Sequence, residues 1–429
     1  MTRVTNMKLI PALCMGLFSS YVSAAGFQLL EQNASGLGNA YAGSAAVAEN
    51  ASTIFYNPAG MTQLKDREIS GGLVAVGTSF KFTDNGSSVG QLAGAGNGGD
   101  GGGWGFLPNG YLSWALNKDL YVGVGVGAPF GLKTEYSNPW IGAAQSTKFD
   151  VKTYNINPSI AYRVNEVVSV GAGLNWQRMS TEYTRQVAVA GPGPSSIFVN
   201  SPLKLNLDGD SWGWNVGGLF TLSPATKVGI SYRSTVNYDL TGNINVTGPN
   251  AAVNAGGTSS AKANVKLPDL FILSATQQLS DKWQMLGDVS WTGWSSIPKI
   301  DVIRTSGAAA GTTAQSLNTN FRDTFRVALG ANYQYTDAIK LKFGVAYDQT
   351  PVQSDSSRLV SLPDNDRTWF SVGTQWTPSK GSTVDFGVAY LYLKDANINN
   401  DQRAVGQGLV SGTYNDSAWI LGVQYSMAF

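Results

Sequence analysis

The sequence predicts an all-β protein: a transmembrane antiparallel barrel of 14 strands, its lumen plugged by the chain's own N-terminal segment. Three observations predict this. Beyond position 65, segments of period-two apolarity follow one another to the C-terminus. The connections between them alternate strictly between very short and long. Residues 25–65 are too apolar for a linker and too irregular to form a core of their own.

Residues 1–24 read as a secretory signal. Arg3 and Lys8 give a positive start, Leu9 to Phe18 a short apolar run, and Val22-Ser23-Ala24 a small-residue cleavage site. The run is shorter than the roughly 20 residues a spanning helix needs. Cys14 lies inside it without a small residue before it, so no lipoprotein anchor is expected. The rest of the chain has no cysteine, which suits passage through an oxidising periplasm without disulfides.

Removing the signal takes two cations from the 29 Lys and Arg that face 28 Asp and Glu. The mature chain is close to neutral, so nothing electrostatic favours nucleic acid as a partner. The sequence has no histidine, which excludes Ser-His-Asp and Cys-His catalysis and any His-ligated metal. No cofactor and no enzymatic activity are expected. No apolar stretch after the signal is long enough for a transmembrane helix. Yet there are 12 Trp, 18 Tyr, 17 Phe and 51 Gly. Aromatic girdles, and glycines where strands bend or approach closely, account for that composition in an outer-membrane barrel.

The stretch from Ala25 to Leu64 is rich in Gly, Ala, Ser and Asn and keeps no period of 2 or 3.6. It also carries Phe27, Leu29, Leu30, Tyr41, Ile54, Phe55 and Tyr56, and therefore needs a container.

Strands are predicted near 68–82, 104–116, 119–131, 147–163, 166–184, 203–222, 226–246, 260–279, 282–304, 318–336, 339–349, 366–377, 382–396 and 413–429. The last one shows the alternation well: Trp419, Leu421, Val423, Tyr425 and Met427 share one face. A soluble sandwich has the same period. Parity of the connections decides between them, with turns such as Asn117-Lys118, Asn165 and Ser280-Asp281 opposite loops such as 83–103 and 350–365. The glycine-rich run Gly94 to Gly105 lacks a Walker lysine and reads as a flexible external loop.

Ala25-Gly26-Phe27-Gln28-Leu29, the run Ser35 to Gly43 (SGLGNAYAG) and Asn57-Pro58-Ala59 resemble the N-terminal hatch of the FadL family of outer-membrane transporters. Gly127 to Tyr136, Phe321 to Gly330 and Leu362 to Phe370 resemble the family's third strand, its tenth strand and the start of its twelfth. The resemblance implies three parts: signal 1–24, hatch 25–65 and barrel 66–429. It further implies import of long-chain fatty acids or other hydrophobic molecules. The expected surroundings are outer-membrane lipid and lipopolysaccharide, with a monomeric barrel. The terminal Phe429 resembles the signal read by the barrel-assembly machinery.

Pro129 cannot donate to a ladder and Gly131 weakens a strand, so a kink or an ordinary strand end is expected there. The resemblance favours the kink, opening a side port beside the hatch, with Asn57-Pro58-Ala59 against it. Read alone, that tripeptide is a turn. Arg185 and Arg322 are candidates to hold a carboxylate through paired hydrogen bonds. The alternative for Arg322 is a luminal ion pair, for instance with Asp323. Phe27 is a candidate substrate contact. The 185–202 loop is short, with Ile197, Phe198 and Val199 its only apolar cluster, so an external capture groove of the family kind is in question.

The leading expectation is passive uptake of long-chain fatty acids. Aromatic hydrocarbons or alkanes by the same route come second. A general porin does not explain the plug, the missing histidine opposes a lipase, and the loops are not those of an adhesin.

Overall fold

The computed structural model describes residues 26–187, 201–249 and 251–429. The expected signal with Cys14 and the loop cluster Ile197, Phe198 and Val199 lie outside the described residues. The described chain is a closed antiparallel barrel of 14 strands. Its first half comprises β1 (Arg67–Asp84), β2 (Gly103–Ala115), β3 (Leu120–Gly127 and Gly131–Glu135), β4 (Lys148–Arg163), β5 (Val168–Gln186), β6 (Pro202–Ser223) and β7 (Thr226–Arg233 and Val236–Val246). There follow β8 (Ser259–Leu267 and Leu270–Gln278), β9 (Trp283–Thr292 and Ile300–Arg304), β10 (Thr313–Leu317 and Thr324–Thr336), β11 (Ile339–Asp348), β12 (Arg367–Ser379), β13 (Ser382–Leu393 and Ala396–Asp401) and β14 (Leu409–Ala428). Pairing of β14 with β1, from Glu68↔Ala428 to Asp84↔Gly412, closes the wall.

Alternation sets what faces lipid. On β14, Trp419, Leu421, Val423 and Tyr425 are exposed, while Ile420, Gln424 and Ser426 are buried. The short turns form because Asn and Ser side chains replace missing ladder acceptors. Asn117 Oδ1 accepts the N–H of Asp119 and Leu120, and Asn165 Oδ1 those of Val167 and Val168.

The segment from Gly26 to Leu64 makes its contacts with inward-facing side chains of the wall. It contains only short helical turns, at Leu37–Asn39, Thr53–Tyr56 and Pro58–Gln63. Most of its backbone groups therefore need outside partners. Wall cations supply several: Arg326 donates to Ala40 O at 2.6 Å, Lys342 to Ser35 O at 2.9 Å, and Arg233 to Phe55 O at 2.9 Å. Glu49 ties the segment to Lys340 and Lys342 at 3.0 and 2.9 Å, and Lys342 also meets Asp385 at 3.1 Å.

The glycine-rich run is not loose, contrary to expectation. Asp100 accepts from Phe80 N–H at 2.8 Å, Gly102 N–H at 2.9 Å and Ser79 Oγ at 2.7 Å. Gly98, at φ +77°, lets the backbone lie on the Trp140 ring. Trp140 is fully buried, stacked on Tyr136 at 4.1 Å, so the long loops build an apolar roof over part of the barrel.

Arg326→Ala leaves the Ala40 carbonyl unpaired at a cost of about 1–3 kcal/mol. Hydrogen exchange at residues 36–42 should accelerate about tenfold or more, with β5 and β6 unchanged. Equal exchange would remove Arg326 as an anchor of this segment.

Candidate functional site

Between the N-terminal segment and the roof lies an apolar cavity. Its walls come from inward positions of β4 to β10: Phe149, Met179, Leu205, Leu240, Val265 and Leu317 are typical. The loop between β11 and β12 adds Leu359 and Leu362. Few polar groups reach it, among them Thr181, Gln315, Thr319 and Ser361. A space of this lining accepts a hydrocarbon chain and excludes ions.

Phe27, a candidate substrate contact from the sequence, lines the cavity. It belongs to an aromatic floor with Phe130, Trp294 and Phe321: Phe27 meets Trp294 edge-on at 5.1 Å and Phe130 at 5.9 Å. Asp364 fixes the start of this segment by accepting the Gly26 N–H at 3.0 Å while holding Arg367 and Thr350 Oγ1.

Arg185 sits at the outer end of β5 and is buried. Its Nε donates to Gln315 Oε1 at 2.8 Å and an Nη to Gln186 O at 3.1 Å. Among the described residues no carboxylate pairs with it. Arg304 stands within Coulombic reach, its own Nε buried and unpartnered. Two guanidinium groups without an acid, beside a cavity wall that includes Gln315, suit one incoming anion. Arg185 was a candidate from the sequence; Arg304, which follows no motif, was not.

Arg322 does not line the cavity. It is exposed, and its Nε meets Thr350 O at 3.3 Å. Nor does it form the alternative ion pair, since Asp323 accepts from Ser295 N–H. Arg322 lies in the non-strand stretch between the two segments of β10, where alternation does not hold; Arg326, within the second segment, is on the buried face, lying over Trp369 at 5.1 Å.

The third strand is interrupted at Ala128–Phe130. Below the break β2 and β3 pair up to Gly110↔Val126; above it, among the described residues, Gly131–Glu135 pairs only with β4. Residues 27–32 fill the break. Leu29 N–H donates to Pro129 O and Gly131 N–H to Phe27 O, both at 2.8 Å. Gln32 accepts Ala128 N–H at 3.0 Å and donates to Ala128 O at 2.7 Å. Outside the break, an apolar recess of about 400 Å³ is lined by Pro108, Val126, Ala128, Ile156 and Trp176.

Asn57-Pro58-Ala59 lies elsewhere, which corrects the expectation that it faces the break. Asn57 Oδ1 accepts Ala59 N–H, and its Nδ2 donates to Ala45 O at 2.7 Å and Gly218 O at 3.0 Å. The turn seats on β5 and β6, where Gly171 leaves no side chain between the wall and Ala59. Gln32, not the tripeptide, plugs the break. Its sequence signal was only its place between Ala25-Gly26-Phe27-Gln28-Leu29 and the run Ser35 to Gly43.

A family model described as "Outer membrane protein transport protein (OMPP1/FadL/TodX)" matches residues 15–429. The chain belongs to this family. It is therefore an outer-membrane protein of a Gram-negative bacterium, in a family of transport proteins for hydrophobic compounds. The long-chain fatty acid transport protein of Escherichia coli O6:H1 is 30% identical to it over 97% of each chain. The crystal structure of a Pseudomonas aeruginosa FadL homologue superposes with a TM-score of 0.85 at 22% identity, covering 94% of this chain and 99% of its own. The Ralstonia pickettii toluene transporter TbuX gives 0.68 at 17% identity, over 92% and 98%.

Gln32→Ala removes both side-chain bonds across the break. A cysteine introduced at Ala128 should then react with a membrane-soluble maleimide about tenfold faster than the same cysteine with Gln32 present. An unchanged rate would show that Gln32 does not close the break.

Proposed function

We propose that this FadL-family protein takes up long-chain fatty acids by passive diffusion. The tail occupies the apolar cavity, the carboxylate rests on Arg185 and Arg304, and the substrate leaves sideways through the break in β3. The observation that carries the reading is one arrangement: among the described residues, a buried arginine without an acid partner bonds a wall residue of an apolar cavity, and Phe27 in that cavity's lining packs on Phe130 in the break of the third strand. Residues 26–64 act as the hatch, and the protein works as a monomer.

The energetics favour such a route. A buried methylene is worth about 0.8 kcal/mol, so a sixteen-carbon tail gains on the order of 10 kcal/mol by staying out of water. The cavity and the outer recess keep the tail in apolar surroundings at both ends of the path. An open aqueous pore would forfeit that stabilisation at every step. Nothing in the path requires energy input, since the lipid leaflet is the more favourable end.

The second reading is uptake of an uncharged hydrocarbon, supported by the apolar lining and by structural likeness to a toluene transporter. It gives no use to the two guanidinium groups. Arg185→Gln separates the readings: oleate affinity should fall by about 1.5–3 kcal/mol, while affinity for an uncharged hydrocarbon stays within twofold. Titration of the purified protein measures both, and equal losses would favour the hydrocarbon.

Gln28 and Phe130 face each other as a bridge pair, which brings them close enough for a disulfide. Only Cys14, in the expected signal, competes. With cysteines at 28 and 130, oxidation should cut oleate uptake by vesicle-reconstituted protein to below about a tenth while leaving oleate binding intact. Full uptake in the oxidised state would close this exit route.

A further inference from the structure

A second weakness in the wall lies between β8 and β9, far from β3 in strand order. Among the described residues, the outer segment of β8, Ser259–Leu267, has ladder pairs with β9 only at Ala261↔Arg304 and Lys262↔Ile303, with Ser260 O bonded to Thr305 N–H beyond them. From Ala263 to Leu267 the side facing β9 has no ladder partner, because residues 293–299 of β9 leave the strand and form a short helical turn. Five residues at about 3.3 Å each leave a slit on the order of 15 Å long. One side-chain bond crosses it, from Ser296 Oγ to Lys266 O at 3.1 Å.

The slit opens on both sides. Outside, a recess is lined by Asn264, Lys266, Ser296, Lys299 and neighbours on β7. Val265 and Ile300 belong to that recess and also to the lining of the inner apolar cavity. The wall here is one side chain thick. Its level also differs from the break in β3. Outward positions of β8 change from Lys262, Asn264 and Lys266 to Phe271 and Leu273, so the recess sits above the apolar band and not within it. Lys299 is paired with Asp301 at 2.9 Å on the surface, while Lys266 has no ion-pair partner among the described residues.

We propose that this slit is a side port through which an anionic amphiphile, a free fatty acid lying among the polar groups of the outer leaflet, reaches the cavity without passing the roof. Lys266 and Lys299 receive the carboxylate outside, and the tail passes between Val265 and Ile300. The slit thereby does the work of a capture groove on the wall instead of on the loops. This proposal rests on the cavity being the substrate site, and the test separates the two.

Oleate association is followed by stopped-flow on the full protein in detergent micelles. A Lys266→Cys variant coupled to a polyethylene-glycol maleimide should bind oleate about tenfold more slowly, with an unchanged dissociation constant. In a second variant, Lys266→Glu with Lys299→Glu, association of oleate should slow several-fold while oleyl alcohol is unaffected. Unchanged oleate rates in both variants overturn the port. Equal slowing of oleate and oleyl alcohol in the charge variant overturns the role of the lysines. Failure of the unmodified protein to bind oleate would instead overturn the cavity as a fatty-acid site.

Discussion

Residues 26–64 carry a backbone that is mostly neither helix nor strand, enclosed in a lumen where water cannot serve every N–H and C=O. That constraint shapes the rest of the molecule. Each buried orphan group costs as much as a lost hydrogen bond, so the wall turns polar and cationic side chains inward to meet them. Arg233, Arg326 and Lys342 each end on a backbone carbonyl of the segment, and Asn39 reaches Asn332 and the β10 and β11 carbonyls in return. Glycines such as Gly171 stand where the segment touches the wall, since a side chain there would occupy the space of Ala59. The barrel's inner face is thus a mould for one irregular strip of chain.

The same logic explains why the interrupted third strand is tolerable in a membrane. An unpaired strand edge facing hydrocarbon is strongly disfavoured. Here Phe27 to Gln32 behave as a replacement strand, returning bonds to Ala128, Pro129 and Gly131. The closing element is not covalently continuous with β3, so its bonds to the break are separate from the ladder of the wall. A side exit and a stable barrel are compatible for this reason.

Charge completes the arrangement. Most inward-facing cations are consumed by the segment or by acids such as Glu49 and Asp385. Arg185 and Arg304 are held by amide and carbonyl oxygens instead, and among the described residues no carboxylate pairs with either. A neutral ligand would leave them so; an anion pairs with them.

The barrel was legible in the sequence because its cause is local. Alternation at Trp419 to Phe429, and Asn117 or Asn165 in a tight turn, are set by neighbouring residues and survive without tertiary information. That Phe27 must be buried was legible for the same reason, as an apolar residue in a strip with no core of its own. Pro129 and Gly131 marked the weak point in β3, since each lacks one thing a strand needs. What fills that point was not legible. Gln32 meets Ala128 across 96 positions, a pairing that no local pattern encodes. Arg322 and Arg326 are four residues apart and would share a face of a regular strand; the irregular stretch 318–323, which takes Arg322 out of β10, is not marked by any local pattern. Only the closed structure decided that Asn57 seats on β6, that Arg304 joins Arg185, and that β8 and β9 part above Pro268, because each depends on strands brought together by closure of the barrel.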